Sequence, residues 1–270
     1  MAEDQNEPAA VGLKECRHGR MLYLLNDSYI GRSLDYYGEY GEFEGQVFAQ
    51  MIRPGQSVVE VGANIGAHTV HLAKLVGPGG TVLAFEPQRS LFYLLCANLA
   101  LNEHFHVRAV HAAVGATAGS IPVPLLDHRA KMNFGALSLP LFTSGDQVPL
   151  MVLDDFDLPS LRLLKVDVEG METDVLRGAR RTIAQHRPLL YVENDRRDQS
   201  EQLIRLIMEL GYDLHWHLPF LFNADNFRGR SDDIFPKVAS INMLCIPQET
   251  TANLTGFRRI TGPGDWWRDQ

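Results

Sequence analysis

Carboxylates stand where predicted β-strands end, and they are the residues of this 270-residue chain with the clearest chemistry. Glu60, Glu86, Asp167 and Glu193 each close a short apolar run, and Asn194 directly follows the last of them. Because ligands of parallel sheets bind outside the carboxyl ends of the strands, these side chains should line one rim. The alternative is structural, since acidic residues also occur at strand ends as caps of the next helix.

The first of these strand ends continues into a glycine turn. β-Branched residues precede Gly62, and apolar residues recur at helical spacing after Gly66, which predicts a strand, a tight turn and a helix. Glycines there let the backbone approach a ligand, and N–H groups at the helix start would face it. The spacing lacks the third glycine of the dinucleotide fingerprint, and no Walker A lysine follows. The turn therefore predicts a nucleotide-like cofactor.

The second strand end helps to identify that cofactor. Glu86 lies 20 residues after Gly66, where a carboxylate can accept hydrogen bonds from both ribose hydroxyls. Glu60 accepts hydrogen bonds only, when ionised, and is suited to meet an ammonium or a sulfonium. This pair favours S-adenosylmethionine (SAM) over NAD, and a nicotinamide oxidoreductase is the weaker hypothesis.

Reactive residues cluster at the end of the fourth strand. Methyl transfer to an alcohol requires an aligned acceptor and removal of a proton. In one hypothesis Asp167 or Glu169 is a general base whose pKa is raised by burial among carboxylates. In the other, Asp167, Glu193 and Asn194 hold Mg²⁺, which acidifies the hydroxyl. Lys165 shares a strand face with Asp167 and either orients that carboxylate, stabilises the alkoxide or simply pairs with it, so base and metal stay open.

The elements that must position these residues alternate regularly from Arg53 onward. Predicted strands cover 57–62, 81–86, 107–114, 161–168 and 189–192, with helices between them and one long helix after the fourth strand. This alternation predicts a mostly parallel sheet with helices on both faces. The strands at 212–217 and 240–246 leave no room for a crossover helix of ordinary length, so they should form an antiparallel hairpin at one edge. The predicted fold is α/β, with the Rossmann-like sheet of class I methyltransferases.

Three regions are predicted along the chain: an N-terminal tail and cap (1–35), the methyltransferase domain (36–246) and a C-terminal tail (247–270). Within the domain, segments 115–150 and 218–236 interrupt the alternation and are expected to form substrate-side insertions.

Other segments keep two interpretations. The acidic, tyrosine-rich stretch 36–44 is either a helix start that favours acidic residues or a lid that touches the cofactor. Trp266 and Trp267 form either a C-terminal clasp or an interface strip, so a homodimer stays open. His215 and His217 alternate on one strand and are interpreted as packing residues rather than ligands.

Composition restricts the partners and the location. The net charge of −8 and the lack of a long basic run argue against a surface for nucleic acid or anionic membranes. The three cysteines are far apart, and the acidic, polar N-terminus does not resemble a signal peptide. No apolar run is long enough to span a bilayer. We expect a cytoplasmic protein whose partner is a small hydroxylated molecule.

Together, the motifs resemble the FkbM family of SAM-dependent methyltransferases. The similar segments are Glu60–Gly66, Phe85–Pro87 and Leu164–Glu172, with weaker similarity at Tyr40–Glu42 and Ser240–Leu244. The resemblance covers about residues 36–246, and Glu60 stands where the family frequently has aspartate.

This resemblance implies a class I methyltransferase fold and O-methylation of a sugar, glycoside or polyketide-type natural product. It also implies that Lys165, Asp167 and Glu169 lie at the reaction centre. By position, the cofactor would be bound by Glu42, Glu60, Gly62, Asn64, Gly66, Glu86 and Asp167. N-Methylation of an amine or peptide, and a non-catalytic cofactor-binding module, are the alternatives.

Overall fold

The structure is a computed structural model that describes residues 9–251 and 254–269. Residues 1–8 of the predicted N-terminal tail lie outside the described part.

The described residues form thirteen strands: β1 (Val11–Cys16), β2 (Gly19–Leu24), β3 (Ser57–Val61), β4 (Thr81–Phe85), β5 (Val107–Val110), β6 (Ala113–Val114), β7 (Gly119–Val123), β8 (Asp146–Met151), β9 (Leu163–Val166), β10 (Leu189–Glu193), β11 (Tyr212–His217), β12 (Asn242–Pro247) and β13 (Arg258–Arg259).

The same residues form seven α-helices: α1 (Ile30–Tyr36), α2 (Glu42–Met51), α3 (Ala67–Val76), α4 (Arg89–Leu101), α5 (Glu172–Arg177), α6 (Arg180–His186) and α7 (Arg197–Glu209). Short 3₁₀ turns lie at Leu139–Leu141 and Leu153–Asp155.

Eight strands make the main sheet, in the order β13-β11-β12-β10-β9-β3-β4-β5. The strands from β10 to β5 run parallel, whereas β12 is antiparallel to both of its neighbours. The predicted parallel sheet and its antiparallel pair are therefore confirmed. The sheet also has β13 beyond β11 at this edge, a strand that the sequence pattern did not predict.

Apolar side chains alternate between the two faces of the sheet and create two core layers. On β3, Val59 and Val61 pack with the layer of α5, α6 and α7, whereas Val58 packs with the layer of α1 to α4. This is the period-two pattern of strands covered on both faces. The helices lie on both faces, as the sequence predicted.

Two predicted elements are shorter than expected. The third strand ends at Val110, because the Ala112 N–H bonds back to the Val110 carbonyl in a tight turn. The chain then enters a separate three-stranded sheet of order β6-β8-β7, in which β7 and most of β8 belong to the 115–150 insertion. The long helix expected after the fourth strand is two helices, α5 and α6. They separate at Gly178, where a side chain would collide with the carbonyl of Gly115.

The terminal segments pack against this body. The β1–β2 hairpin lies on α4, where the Asn98 side chain both donates to and accepts from the backbone of Leu22. At the other end, buried Trp266 contacts Trp216 edge-on at 5.9 Å between ring centroids. The C-terminal tryptophan is thus a clasp within the chain, and a homodimer stays a prediction. Among the described residues, no helix combines the length and apolarity that crossing a bilayer requires.

Candidate active site

A cleft with two lobes opens at the carboxyl ends of β3, β4, β9 and β10. The apolar lobe encloses about 540 Å³, a volume that includes its open mouth. Its walls come from Phe85, Leu91, Ala112, Ala113, Phe134, Leu137, Leu139 and Met171. The polar lobe is lined by residues that include Tyr29, Tyr40, Glu44, Glu60, His68, Asn133, Lys165, Glu193, Asp195, Ser240 and Asn242. Both lobes share Gly62, Asn64, Glu86, Gly135, Asp167 and Glu169.

The glycine turn shapes the point where the lobes meet. Gly62 has φ +87°, and a side chain there would collide with the carbonyl of Asp167. Asn64 tolerates φ +52°, as asparagine often does. Gly66 starts α3 in a left-handed conformation close to Leu95. Gly62 and Asn64 therefore line the cleft, whereas Gly66 sets the helix start and is not part of the lining.

Glu86 bridges two backbone segments at the floor of the cleft. Its carboxylate accepts hydrogen bonds from the N–H groups of Asn64 and Gln88, each at 2.8 Å. Burial, with a smaller contribution from the charges of Asp167 and Glu60, raises the pKa of Glu86 to about 7 although these two donors oppose the shift. The carboxyl therefore lies where the sequence placed a ribose acceptor.

A buried row of polar side chains crosses the sheet on the face that α2 and α3 cover. Strand register places Lys165 between Glu60 and Tyr191. The Lys165 Nζ lies 3.6 Å from Glu60 Oε1 and 3.3 Å from Asp167 Oδ2. Although burial opposes its charge, Asp167, Glu60 and Glu44 hold the pKa of Lys165 above its ordinary value. Lys165 is therefore an ammonium near neutral pH that orients Asp167, and it is not a general base.

Carboxyl groups crowd the opposite side of the polar lobe. Oxygens of Glu169, Glu193 and Asp195 lie within 4.8 Å of one another. Burial, then the charges of Asp167 and Asp195, raise the pKa of Glu169 to about 7, while Arg196 opposes the shift with a 2.6 Å hydrogen bond. Burial and the same neighbours raise the pKa of Glu193 well above its usual range. Glu169 can therefore exchange a proton near neutral pH.

The predicted metal set is not assembled. Asn194 is buried and directs its amide away from the cleft, donating to Ser200 Oγ at 3.0 Å and contacting Met243 Sδ at 3.3 Å. The reason is strand alternation, which sends consecutive side chains to opposite faces. Carboxylates at metal-compatible distances come instead from Glu169, Glu193 and Asp195, and Asp167 lines the same lobe outside that group.

Glu42 is likewise placed away from the cleft. It accepts a hydrogen bond from His18 Nε2 at 2.8 Å and lies 3.6 Å from Arg17. Glu44, two residues later, lines the polar lobe and lies 2.9 Å from His68 Nε2. Two positions along an α-helix differ by about 200° around its axis, so only one of these glutamates can face the cleft. The geometry does not support Glu42 as a cofactor ligand.

Several residues of the site escaped sequence reasoning. Glu44 accepts hydrogen bonds from Tyr191 and Asn242 as well as contacting His68. Their separation along the chain left no local signal, although Glu44 ends the acidic stretch 36–44 and Asn242 lies in the family-like segment Ser240–Leu244. His217 contacts the Tyr191 hydroxyl at 2.7 Å behind the lobe, and neither it nor His215 is part of the lining.

This fold and cleft define a class I methyltransferase architecture: a parallel sheet with an antiparallel edge pair, and a cleft at the carboxyl ends of the strands. The family model described as "Methyltransferase FkbM domain" matches residues 60–214, more than half of the chain. The chain therefore belongs to the FkbM methyltransferase family, as the motif resemblance predicted.

Two curated relatives also match. "Methyltransferase 1" of Beauveria bassiana is 32% identical over 143 residues, which cover 45% of this chain and 57% of the relative. "Methyltransferase sdnD" of Sordaria araneosa is 28% identical over 154 residues, covering 45% of this chain and 59% of the relative. The chain thus spans less than two thirds of the length of these relatives.

A solved structure of methyltransferase FkbM from Methylobacillus flagellatus aligns at a TM-score of 0.48 with 18% identity. The alignment covers 78% of this chain and 52% of that chain. The family assignment depends on the sequence match and not on this alignment.

Proposed function

We propose that this protein is a SAM-dependent O-methyltransferase that acts on a hydroxyl of a small sugar, glycoside or polyketide-type acceptor. The observation that carries the proposal is the Glu169 carboxyl, which lines the wall shared by both lobes. Its pKa of about 7 suits a proton acceptor. An amine acceptor in its neutral form would need no such base for the attack, because a neutral amine is a much stronger nucleophile than a neutral hydroxyl.

The residues of the cleft fit the cofactor. The apolar lobe offers Phe85, Leu91 and Phe134 to an aromatic base, and Glu86 offers carboxylate oxygens to ribose hydroxyls. A side chain on Gly135 would crowd the Asn64 amide at 2.8 Å, so glycine keeps this part of the cleft open. When bound, SAM supplies an electrophilic methyl group on its sulfonium.

The protein would then position the acceptor and remove its proton. Tyr29, Asn133 and Ser240 supply hydroxyl and amide groups along the outer wall, which suits a polyol. Glu169, held by Arg196, accepts the hydroxyl proton as the oxygen attacks. Lys165 holds Asp167 in an ion pair in the same lobe.

Metal assistance is the second version of the same proposal. It is favoured by the spacing of Glu169, Glu193 and Asp195, since Mg²⁺ binds through carboxylate oxygens. We retain the base as the main version because Arg196 already neutralises part of that cluster.

For location we propose the cytoplasm. Cys16, Cys96 and Cys245 are all free thiols, which suits a reducing compartment.

The test is turnover on a panel of hydroxylated acceptors, followed by release of S-adenosylhomocysteine and by identification of the methylated atom. For Glu169→Gln, kcat should fall by ~10²–10⁴, while affinity for S-adenosylhomocysteine changes by less than about twofold. The matched control is Glu201→Gln, because Glu201 is an exposed carboxylate on α7 that pairs with Arg205; its kcat should equal that of the wild type.

Three results would change the proposal. Failure to bind SAM would overturn it, and a methylated nitrogen in the product would replace it with N-methylation. Loss of activity with chelator and recovery with Mg²⁺ would select the metal version.

A further inference from the structure

We infer that the Glu44 carboxylate receives the α-ammonium of the cofactor's amino-acid end, beside the N-terminus of α3. This inference rests on the proposed use of SAM, whose methionine part carries an ammonium and a carboxylate on one carbon. A receptor for such a group needs a negative and a positive region side by side.

The positive region is the start of α3. Ala67 and His68, its first two residues, line the polar lobe. The free N–H groups at a helix start attract carboxylates, so this end of α3 suits the carboxylate of the amino-acid group.

The negative region is directly adjacent. Glu44 Oε2 lies 2.9 Å from His68 Nε2, a side chain of that first turn. Gly41 makes this approach feasible, since a side chain at its left-handed position (φ +60°) would collide with both groups. The two charges of an amino acid would thus meet complementary groups from two neighbouring helices.

Glu44 is also prepared to stay ionised. Its other oxygen accepts from Asn242 at 2.5 Å and Tyr191 at 3.3 Å. Burial opposes the charge, but the hydrogen bond and charge of His68, followed by Lys165, hold the pKa of Glu44 below its ordinary value. A buried, hydrogen-bonded carboxylate can bind an ammonium without reorganising.

The other carboxylates on this side of the lobe already lie beside a lysine. Glu60 accepts from the Thr69 hydroxyl at 2.6 Å and turns its second oxygen toward Lys165. Asp167 pairs with the same lysine. Among the ion pairs of the described residues, Glu44 has a histidine as its partner and no lysine or arginine. The ammonium would therefore supply a permanent positive charge, which neither a lysine nor an arginine provides to Glu44 within ion-pair distance.

The experiment compares S-adenosylhomocysteine with its deamino analogue, which keeps the carboxylate, by calorimetric titration. Wild-type protein should bind the amino form at least about tenfold more tightly, as expected for a hydrogen bond to a charged group. Glu44→Gln should remove most of that preference and leave affinity for the deamino analogue within about twofold.

Glu42→Gln is the matched control, because Glu42 lies on the same helix but bonds His18 outside the cleft. It should keep the full preference. If Glu44→Gln weakens the binding of both ligands equally, Glu44 has a structural role and the inference is overturned. A variant that keeps the preference for the amino form would also overturn the inference.

The wild-type comparison stands even if the variant does not fold. Equal binding of the two ligands by the wild type would contradict the inference and leave the proposed cofactor intact. Absence of binding by either ligand would instead contradict the proposed function.

Discussion

The two lobes of the cleft differ in how they can act on a ligand. The apolar lobe presents aromatic and aliphatic walls, and its ionisable residues, Glu86, Asp167 and Glu169, are all shared with the other lobe. The polar lobe adds Glu44, Glu60, His68, Lys165, Glu193 and Asp195. Shape and burial can recognise a ligand in the first lobe, whereas charge can align and deprotonate one in the second.

This difference shows how one edge of the sheet can support both ligand binding and chemistry. Carboxyls that crowd each other shift toward protonation, as Glu169 and Glu193 do, while Lys165 is held charged by its acidic neighbours. Each group in the polar lobe therefore depends on the others. Substitutions there should affect several properties at once, and substitutions at the floor of the apolar lobe should mainly affect binding.

The largest expected effect is on stability, from Lys165→Met. Removing this buried cation leaves Glu60 and Asp167 without their positive partner, which should lower the free energy of unfolding by ~3–5 kcal/mol. Urea denaturation measures it. Lys74→Met, at an exposed lysine of α3, should stay within ~0.5 kcal/mol of the wild type. Stability unchanged by Lys165→Met would mean that the acidic neighbours do not need this charge.

The next effect is on cofactor affinity, from Glu86→Ala. The variant loses the carboxylate proposed to accept the ribose hydroxyls and frees the N–H groups of Asn64 and Gln88. Affinity for S-adenosylhomocysteine should fall at least about tenfold, the cost of losing hydrogen bonds to a charged group. Glu103→Ala, at an exposed position after α4, is the control for titration calorimetry. Unchanged affinity in Glu86→Ala would remove the ribose contact from the proposal.

The smallest effect concerns pH, and it separates cofactor binding from the rate of the reaction. Glu86 and Glu169 both have a pKa of about 7. As pH rises through 7, ionised Glu86 should strengthen cofactor binding, and ionised Glu169 should raise kcat at saturating cofactor. Glu86→Gln should flatten only the pH dependence of cofactor affinity, and Glu169→Gln should flatten only the pH dependence of kcat.

A neighbouring charge sharpens the same measurement. Asp195 is one of the groups that raise the pKa of Glu169, so Asp195→Asn should move the midpoint of the kcat profile to lower pH. A midpoint that stays in place would show that Glu169 does not control the rate. As pH rises, the free energy of unfolding should change in the opposite direction to kcat. Since the folded state holds the Glu169 proton up to higher pH than the unfolded state, this contribution to stability is lost as pH rises toward and through 7.

Much of the rim could be predicted because it depends on local pattern. Short β-branched runs predicted the strands, and the residues that follow them, such as Glu60, Glu86 and Asp167, lie at the cleft as expected. The predictions were wrong where the direction of a side chain mattered more than its position in the sequence. Asn194 is at the correct strand end but on the other face, and Glu42 is on the correct helix but on the wrong side of it.

The sequence by itself determined the five parallel strands, the glycine turn and the carboxylates that end the strands, because periodicity and backbone preference act over a few residues. Only the tertiary structure decided which carboxylates meet. Glu44 and Asn242 are 198 residues apart and share a hydrogen bond, and the 115–150 segment contributes Asn133 to the same cleft. Such contacts depend on how helices rotate and how loops return across the sheet, and these are settled by packing of the whole chain.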